Sequence, residues 1–271
     1  MEQRKIKILV VTHKPDKVYN DDVYMPIQVG KAMSKYDLGF QGDDTGDNIS
    51  EKNSMYCELT AQYWAWKNLQ DVDYVGLCHY RRYFETKITS ENVDKLMLNY
   101  DVVLAAPIIA RQAVLSRLFR ASCQEDVYIF YAVVKKLFPE YEKDLLAYLQ
   151  DNIVIGYNMF VMRQYDFQKF SEWEFQILSE MEKYIKLSEY TRMKRLYGYV
   201  AEVLLPVYCL HNHLRIKYNP IVPMLGDSYH WSLKKFCRSI YNTCLFHLTW
   251  KKENVIDNAT AVGLKNDGII I

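Results

Sequence analysis

Apolar and polar positions fall into short, well-punctuated blocks along this chain. Residues 6–12, IKILVVT, are apolar apart from Lys7 and Thr12 and stop at His13-Lys14-Pro15. A run so short and so apolar predicts a strand buried on both faces, with proline ending its ladder. Such a strand close to the N-terminus is how α/β domains usually begin. A polar loop follows, and the stretch around GDDTGDN (42–48) is loop by composition. Leu59, Tyr63, Trp66 and Leu69 then recur at spacings of three and four, which predicts a helix over 58–69 with these residues on one face. Residues 73–78 predict a second strand, 91–100 a helix, and 101–106 a third strand closed by Pro107. From 108 to 152 the pattern is helical and charged, with Tyr128, Tyr131, Val134, Leu137 and Phe138 as its apolar stripe. IVIGYNMFVMR (153–163) reads as a fourth strand, or as a pair broken at Gly156, and helices follow over 167–186 and 198–210. The order β–loop–α–β–α–β–α–β–α predicts an α/β fold with a mainly parallel central sheet and helices on both of its faces.

Composition narrows the function classes. The 271 residues carry a formal net charge of +1 and are 50% hydrophobic. A near-neutral chain argues against nucleic acid as the main partner, because phosphate backbones select strongly basic faces. Its six cysteines are scattered without a CxxC pair, which points to free thiols in a reducing cytoplasm, with Cys57, Cys78 and Cys209 buried. Lys5 and Lys7 interrupt the first apolar run, so it does not read as a secretory leader. No stretch reaches the ~20 apolar residues of a membrane span, and a cytoplasmic protein is expected.

Open α/β sheets bind ligands outside the carboxyl ends of their strands. The second strand ends in GLCHYRRYF, delivering His79, Tyr80, Arg81 and Arg82; the first delivers Thr12, His13 and Lys14; the fourth delivers Asn158. Guanidinium forks match phosphate oxygens and stay charged at any cellular pH, so these ends predict a cationic crevice for a phosphorylated ligand. A solvated turn is the alternative for two adjacent arginines. Asp43, Asp44 and Asp47 of the 42–48 loop can hold a divalent metal, hydrogen-bond a base or ribose, or leave capping to Ser50, Asn53 or Ser54. GxGxxG, GxxxxGK[ST], GxSxG and HExxH are all absent, so dinucleotide, P-loop, hydrolase-elbow and zincin chemistries have no support.

GDDTGDNIS, CELTAQYWAWKN, YVGLCHYRRYF, GYNMFVMR and RLYGYVAEVLL occur here in an order and spacing that resemble a family of bacterial capsular and exopolysaccharide biosynthesis proteins. That family was long catalogued only as a domain of unknown function and is now treated as glycosyltransferases, some of them galactofuranosyltransferase-like. The resemblance covers about residues 5 to 220. It implies a GT-A-like domain over 1–225, transferring a hexose, with galactofuranose as the candidate sugar, from a UDP-sugar to a growing, lipid-linked glycan. A non-catalytic nucleotide- or glycan-binding module of the same pathway is the other reading. In GT-A enzymes the corresponding strand usually ends in a DxD motif that grips the diphosphate through a metal; here the position carries His79-Tyr80-Arg81-Arg82. The resemblance therefore implies diphosphate binding by these residues and metal-independent transfer, with Mn²⁺ or Mg²⁺ on Asp43, Asp44 or Asp47 as the rival. It further implies nucleoside contacts from Thr12, His13, Asp43, Asp44 and Asn48, sugar or acceptor contacts from Asn158 and Trp64, and Glu202 as general base for an inverting reaction. Where the family tends to carry Glu-Arg, this chain has Glu202-Val203. Trp66 fits the apolar stripe of its helix and reads as core.

Residues 226–271 form an appendage. From Ser228 to Lys252 there is no Asp or Glu, against Lys234, Lys235, Arg238, Lys251 and Lys252. Apolar residues at helical spacing, framed by Trp231 and Trp250, predict a basic amphipathic helix over 231–250 on the inner membrane surface, or a terminal helix packed on the domain.

Overall fold

The computed structural model describes residues 4–252, 254–255 and 257–269. The chain divides into two compact units, Met1–Ala106 with Gly156–Glu172 and His213–His230, and Pro107–Ile155 with Trp173–Asn212 and Trp231–Ile271.

The first unit is built on a seven-stranded sheet. With strands numbered along the chain, it comprises β1 (Ile6–Thr12), β2 (Tyr24–Gln28), β3 (Gln41–Gly42), β4 (Tyr74–His79), β6 (Val102–Ala105), β9 (Phe160–Arg163) and β10 (Ile216–Asn219). Their order is β10-β6-β9-β4-β1-β2-β3. The β1–β2, β1–β4, β2–β3 and β6–β10 pairings are parallel, whereas β9 runs antiparallel to both β4 and β6. A short antiparallel ribbon joins β5 (Tyr83–Phe84) to β11 (Ile221–Val222). Helices α1 (Asn53–Tyr56), α2 (Leu59–Asn68) and α3 (Val93–Met97) belong to the same unit. The architecture is the expected mixed α/β fold with a mainly parallel sheet.

β1 is central because its sequence leaves it no solvated face. Ile6, Ile8 and Val10 join Cys78, Met159 and Val161 in one buried cluster, while Leu9 and Val11 are buried on the other side. Each such side chain removed from water contributes roughly 1.5–3 kcal/mol. Gly76 of β4 sits where a Cβ would lie 2.6 Å from Val161 Cγ2 and 2.9 Å from the Phe160 carbonyl oxygen, so only glycine lets β4 approach β9 this closely.

Several elements differ from the pattern-based expectation. β2, YMPIQ, falls inside the stretch read as loop. Pro26 pairs with Val10 one residue before β2 gains β3 as a neighbour at Ile27, so this proline sits where β2 is an edge. The 153–163 stretch is a pair broken around Gly156: β8 (Ile153–Val154) pairs with β7 (Ile108–Ile109), and only β9 enters the large sheet. On α2 the buried residues include Thr60, Ala61, Gln62, Trp64 and Ala65 rather than the expected Tyr63–Trp66 face. Tyr63 and Trp66 stack edge-on at 5.5 Å and are half-buried, with Lys67 lying 3.3 Å over the Trp66 ring.

The second unit is mostly helical: α4 (Val114–Ala121), α5 (Gln124–Leu137), α6 (Glu142–Leu149), α8 (Thr191–Lys194), α9 (Leu196–His211), α10 (Leu233–Thr249) and α11 (Asn258–Asn266), with β7 and β8. α7 (Gln164–Met181) contributes its first half to one unit and its second to the other. The apolar α9 packs against α4 and α6. An aromatic stack joins Tyr141 to His211 at 3.7 Å and to Trp173 at 4.7 Å, and His211 Nδ1 meets Asp144 Oδ2 at 2.8 Å. None of the six cysteines forms a disulfide; Cys78 and Cys209 are buried as expected, while Cys57 is only half-buried.

Candidate functional site

The carboxyl end of β4 closes into a tight turn. His79 and Arg82 exchange backbone hydrogen bonds of 3.2 and 3.0 Å, placing Tyr80 and Arg81 at the corners, and the Tyr80 amide donates to the Val11 carbonyl at 3.1 Å. The preceding Cys78 is fully buried, which pushes its thiol up. It is a packing group rather than a nucleophile.

The two arginines differ. Arg81 forms an ion pair with Asp16 at 2.7 Å and lies over the Tyr80 ring at 5.0 Å. The Lys17 amide and then the Arg81 guanidinium hold the Asp16 carboxylate below its ordinary range. Arg82 instead lies 4.5 Å over the Tyr157 ring. It is exposed, and no carboxylate pairs with it among the described residues. A guanidinium held on an aromatic face, with its fork unspent, is suited to a dianionic ligand.

Tyr157 and Asn158 meet this turn because β9 is reversed. Phe160 lies opposite Leu77 in the antiparallel register, so the residues that lead into β9 reach the carboxyl end of β4. His79 Nε2 lies 2.6 Å from the Tyr157 carbonyl oxygen. A carbonyl only accepts, so Nε2 carries the proton and this histidine positions the backbone. Tyr157 and Asn158 both have positive φ, 76° and 49°, a costly pairing for two side-chain-bearing residues that clusters at functional sites. Asn158 is 2% exposed and donates from Nδ2 to Glu58 Oε1 at 2.7 Å. Glu58 directly precedes α2 and follows Cys57, which also has a positive φ of 54°.

The 42–48 loop is anchored rather than open. Asp43 is fully buried; its Oδ2 accepts from the Gly30 amide at 2.9 Å, and its Oδ1 accepts from the Lys31 amide at 3.1 Å and from the Ser50 hydroxyl. Asn48 accepts from the Ser50 amide and donates to the Gly46 carbonyl. Asp47 accepts from the Tyr63 hydroxyl at 3.2 Å, while Asp44 is exposed. With Asp43 fully engaged, the three aspartates do not form a ready metal cage, and among the described residues no group of three His, Cys, Asp or Glu side chains is placed to hold one. Trp64 is buried, and its Nε1 donates to Thr45 Oγ1 at 2.8 Å, so this indole braces the loop. Thr12 is buried with its hydroxyl donating to the Lys14 carbonyl, and His13 lies edge-on to Tyr80 at 5.6 Å.

The structure thus brings together His13, His79, Tyr80, Arg81, Arg82 and Asn158 of the expected residues, and adds Asp16, Tyr157 and Glu58. Tyr157 was adjacent to a predicted residue, but nothing in the sequence signalled its ring as a seat for Arg82. Glu202 belongs to the second unit. It is half-buried on α9 and lines a pocket of about 160 Å³ with Arg117, Tyr148 and Tyr199.

Residues 7–213 match the family model described as a domain of unknown function, DUF4422. The structure is similar to that of the WbbM bifunctional glycosyltransferase in its apo form, with a TM-score of 0.74 and 30% sequence identity. The alignment covers 85% of this chain and 48% of that one, so the present chain spans about half of the larger protein. No curated protein matches the chain.

Proposed function

The chain belongs to the DUF4422 family, and from that premise we propose that it is a glycosyltransferase. It would take a hexose, with galactofuranose the first candidate, from a UDP-sugar to a growing, lipid-linked surface glycan. The observation that carries this reading is Arg82, seated on Tyr157 at the carboxyl edge of the sheet without a carboxylate partner among the described residues. The likeness to a bifunctional glycosyltransferase supports it.

In the proposed reaction an acceptor hydroxyl oxygen bonds to the anomeric carbon while the bond from that carbon to the β-phosphate oxygen breaks. UDP leaves carrying the negative charge. Arg82, with Arg81 beside it, offsets this charge as it develops, and fixed cations serve best where charge appears in the transition state. His79 and the Glu58–Asn158 bond hold the Tyr157–Asn158 corner on which Arg82 rests. Glu202 is retained as the general base of an inverting transfer, and Glu202→Gln should lower turnover about 10²–10⁴-fold. The transfer is proposed to be independent of a protein-held metal.

Titration calorimetry with UDP and a UDP-sugar panel, in EDTA and then with Mn²⁺, tests the donor site. Binding in EDTA that Arg82→Ala weakens about 10–100-fold supports it. Binding that requires Mn²⁺ and survives Arg82→Ala overturns it. A UDP-release assay with an acceptor glycan then separates a transferase from a binding module, which would hold donor without turnover.

A further inference from the structure

α10 is seated with its polar side inward. Asn242 donates to the Ile109 carbonyl at 2.9 Å, Ser239 and Thr243 are half-buried on the same side, and Phe246 is the helix's one fully buried side chain. The opposite stripe is apolar and faces water: Leu233, Ile240 and Leu248 are 62%, 50% and 85% exposed, with Cys237 and Cys244 exposed between them. Trp231, just before the helix, is 67% exposed. Trp250 turns the other way and stacks on Phe246 at 5.4 Å, so the expected symmetrical frame of two tryptophans becomes a single exposed one.

We propose that this outward face of α10 lies in the surface of an anionic lipid bilayer, with the helix axis in the membrane plane. A helix of 17 residues with its apolar stripe turned away from its own unit needs a cover, and two observations favour lipid over protein. Every charged residue from 228 to 252 is a lysine or arginine, which complements anionic headgroups. An exposed tryptophan marks the start of the helix, the position at which an indole suits a membrane interface. Among the described residues no helix is long and apolar enough to cross a membrane, so α10 lies on the bilayer rather than through it. The inference does not depend on sugar transfer.

The test is co-sedimentation of the full chain with phosphatidylcholine vesicles, with and without phosphatidylglycerol, at low and high salt. The chain should partition onto the anionic vesicles, more weakly at high salt, and Ile240→Glu with Leu248→Glu should reduce that partition about tenfold or more. Both positions are at least half exposed, so the melting transition should not move, and a shared UDP affinity between variant and parent confirms that the donor site is untouched. Three results overturn the proposal: no partition onto anionic vesicles, partition unchanged by the double substitution, or a parent dimer in sedimentation velocity that the substitutions convert to monomer. The last would assign the face to a second copy of the chain.

Discussion

Asn158, buried two residues before β9, donates to the carboxylate of Glu58 at 2.7 Å across 100 positions of sequence. This bond ties the loop before α2 to the left-handed corner on which Arg82 rests. Glu58→Ala strands a buried amide donor, which costs about 1–3 kcal/mol. Glu58→Gln leaves a carbonyl oxygen to accept the same bond and should recover most of that loss. Urea unfolding of the two variants measures the difference, and equal losses would show that the bond contributes nothing.

Arg82→Ala should weaken UDP binding about 10–100-fold, the range for a charge-assisted contact. Arg81→Ala should cost about threefold or less, because its guanidinium is already paired with Asp16 and largely exposed. Calorimetry on both variants checks the ranking; a larger effect at Arg81 would reverse the assignment.

Gly76→Ala should destabilise the first unit by about 1–3 kcal/mol. The added methyl meets a backbone carbonyl oxygen, not only mobile side-chain atoms, so the sheet itself must shift. A fall in the urea midpoint without loss of the ordered secondary-structure signal is the expected reading.

Asp101 carries an acid-sensitive clamp. Arg215 hydrogen-bonds both of its oxygens at 2.9 Å, and the guanidinium side chain is the main cause that lowers the carboxyl from 3.8 to about 2. A depressed folded-state pKa stabilises above the unfolded value, so this contribution is present above pH ~4 and is lost as pH falls from about 4 toward 2. Arg215 is 59% exposed, so water screens the pair and keeps its contribution small. Arg215→Ala should flatten the stability–pH curve in that window while leaving the slope above pH 5 unchanged.

The sequence was most legible where burial was uniform. IKILVVT announces a doubly buried strand, and the HYRR cluster announces the strand end. β2 was hidden because Pro26 reads as a breaker until the neighbouring register is known. The reversal of β9 leaves no trace in an apolar run, since direction is a property of the partner strands. The α2 stripe misplaced Trp64 and Trp66 because a helix buried nearly all round its first turns loses its amphipathic signal. On α10 the apolar stripe was plain in the sequence, but periodicity says only that a face exists, not whether it turns toward the body or away. The Glu58–Asn158 bond required both the α2 boundary and the β9 reversal, so neither residue could predict the other.

The position of β10 has a consequence for biosynthesis. β6 is fully buried, yet one of its two neighbours arrives last: Arg215 joins Asp101 only after 114 further positions have been made. On the ribosome, the sheet keeps an apolar edge open until residue 219 has emerged, and open edges are where nascent chains mispair. A chain ended at residue 213, where the family match stops, would keep that edge permanently. It should aggregate, whereas one extended through 222 closes both the sheet and the β5–β11 ribbon.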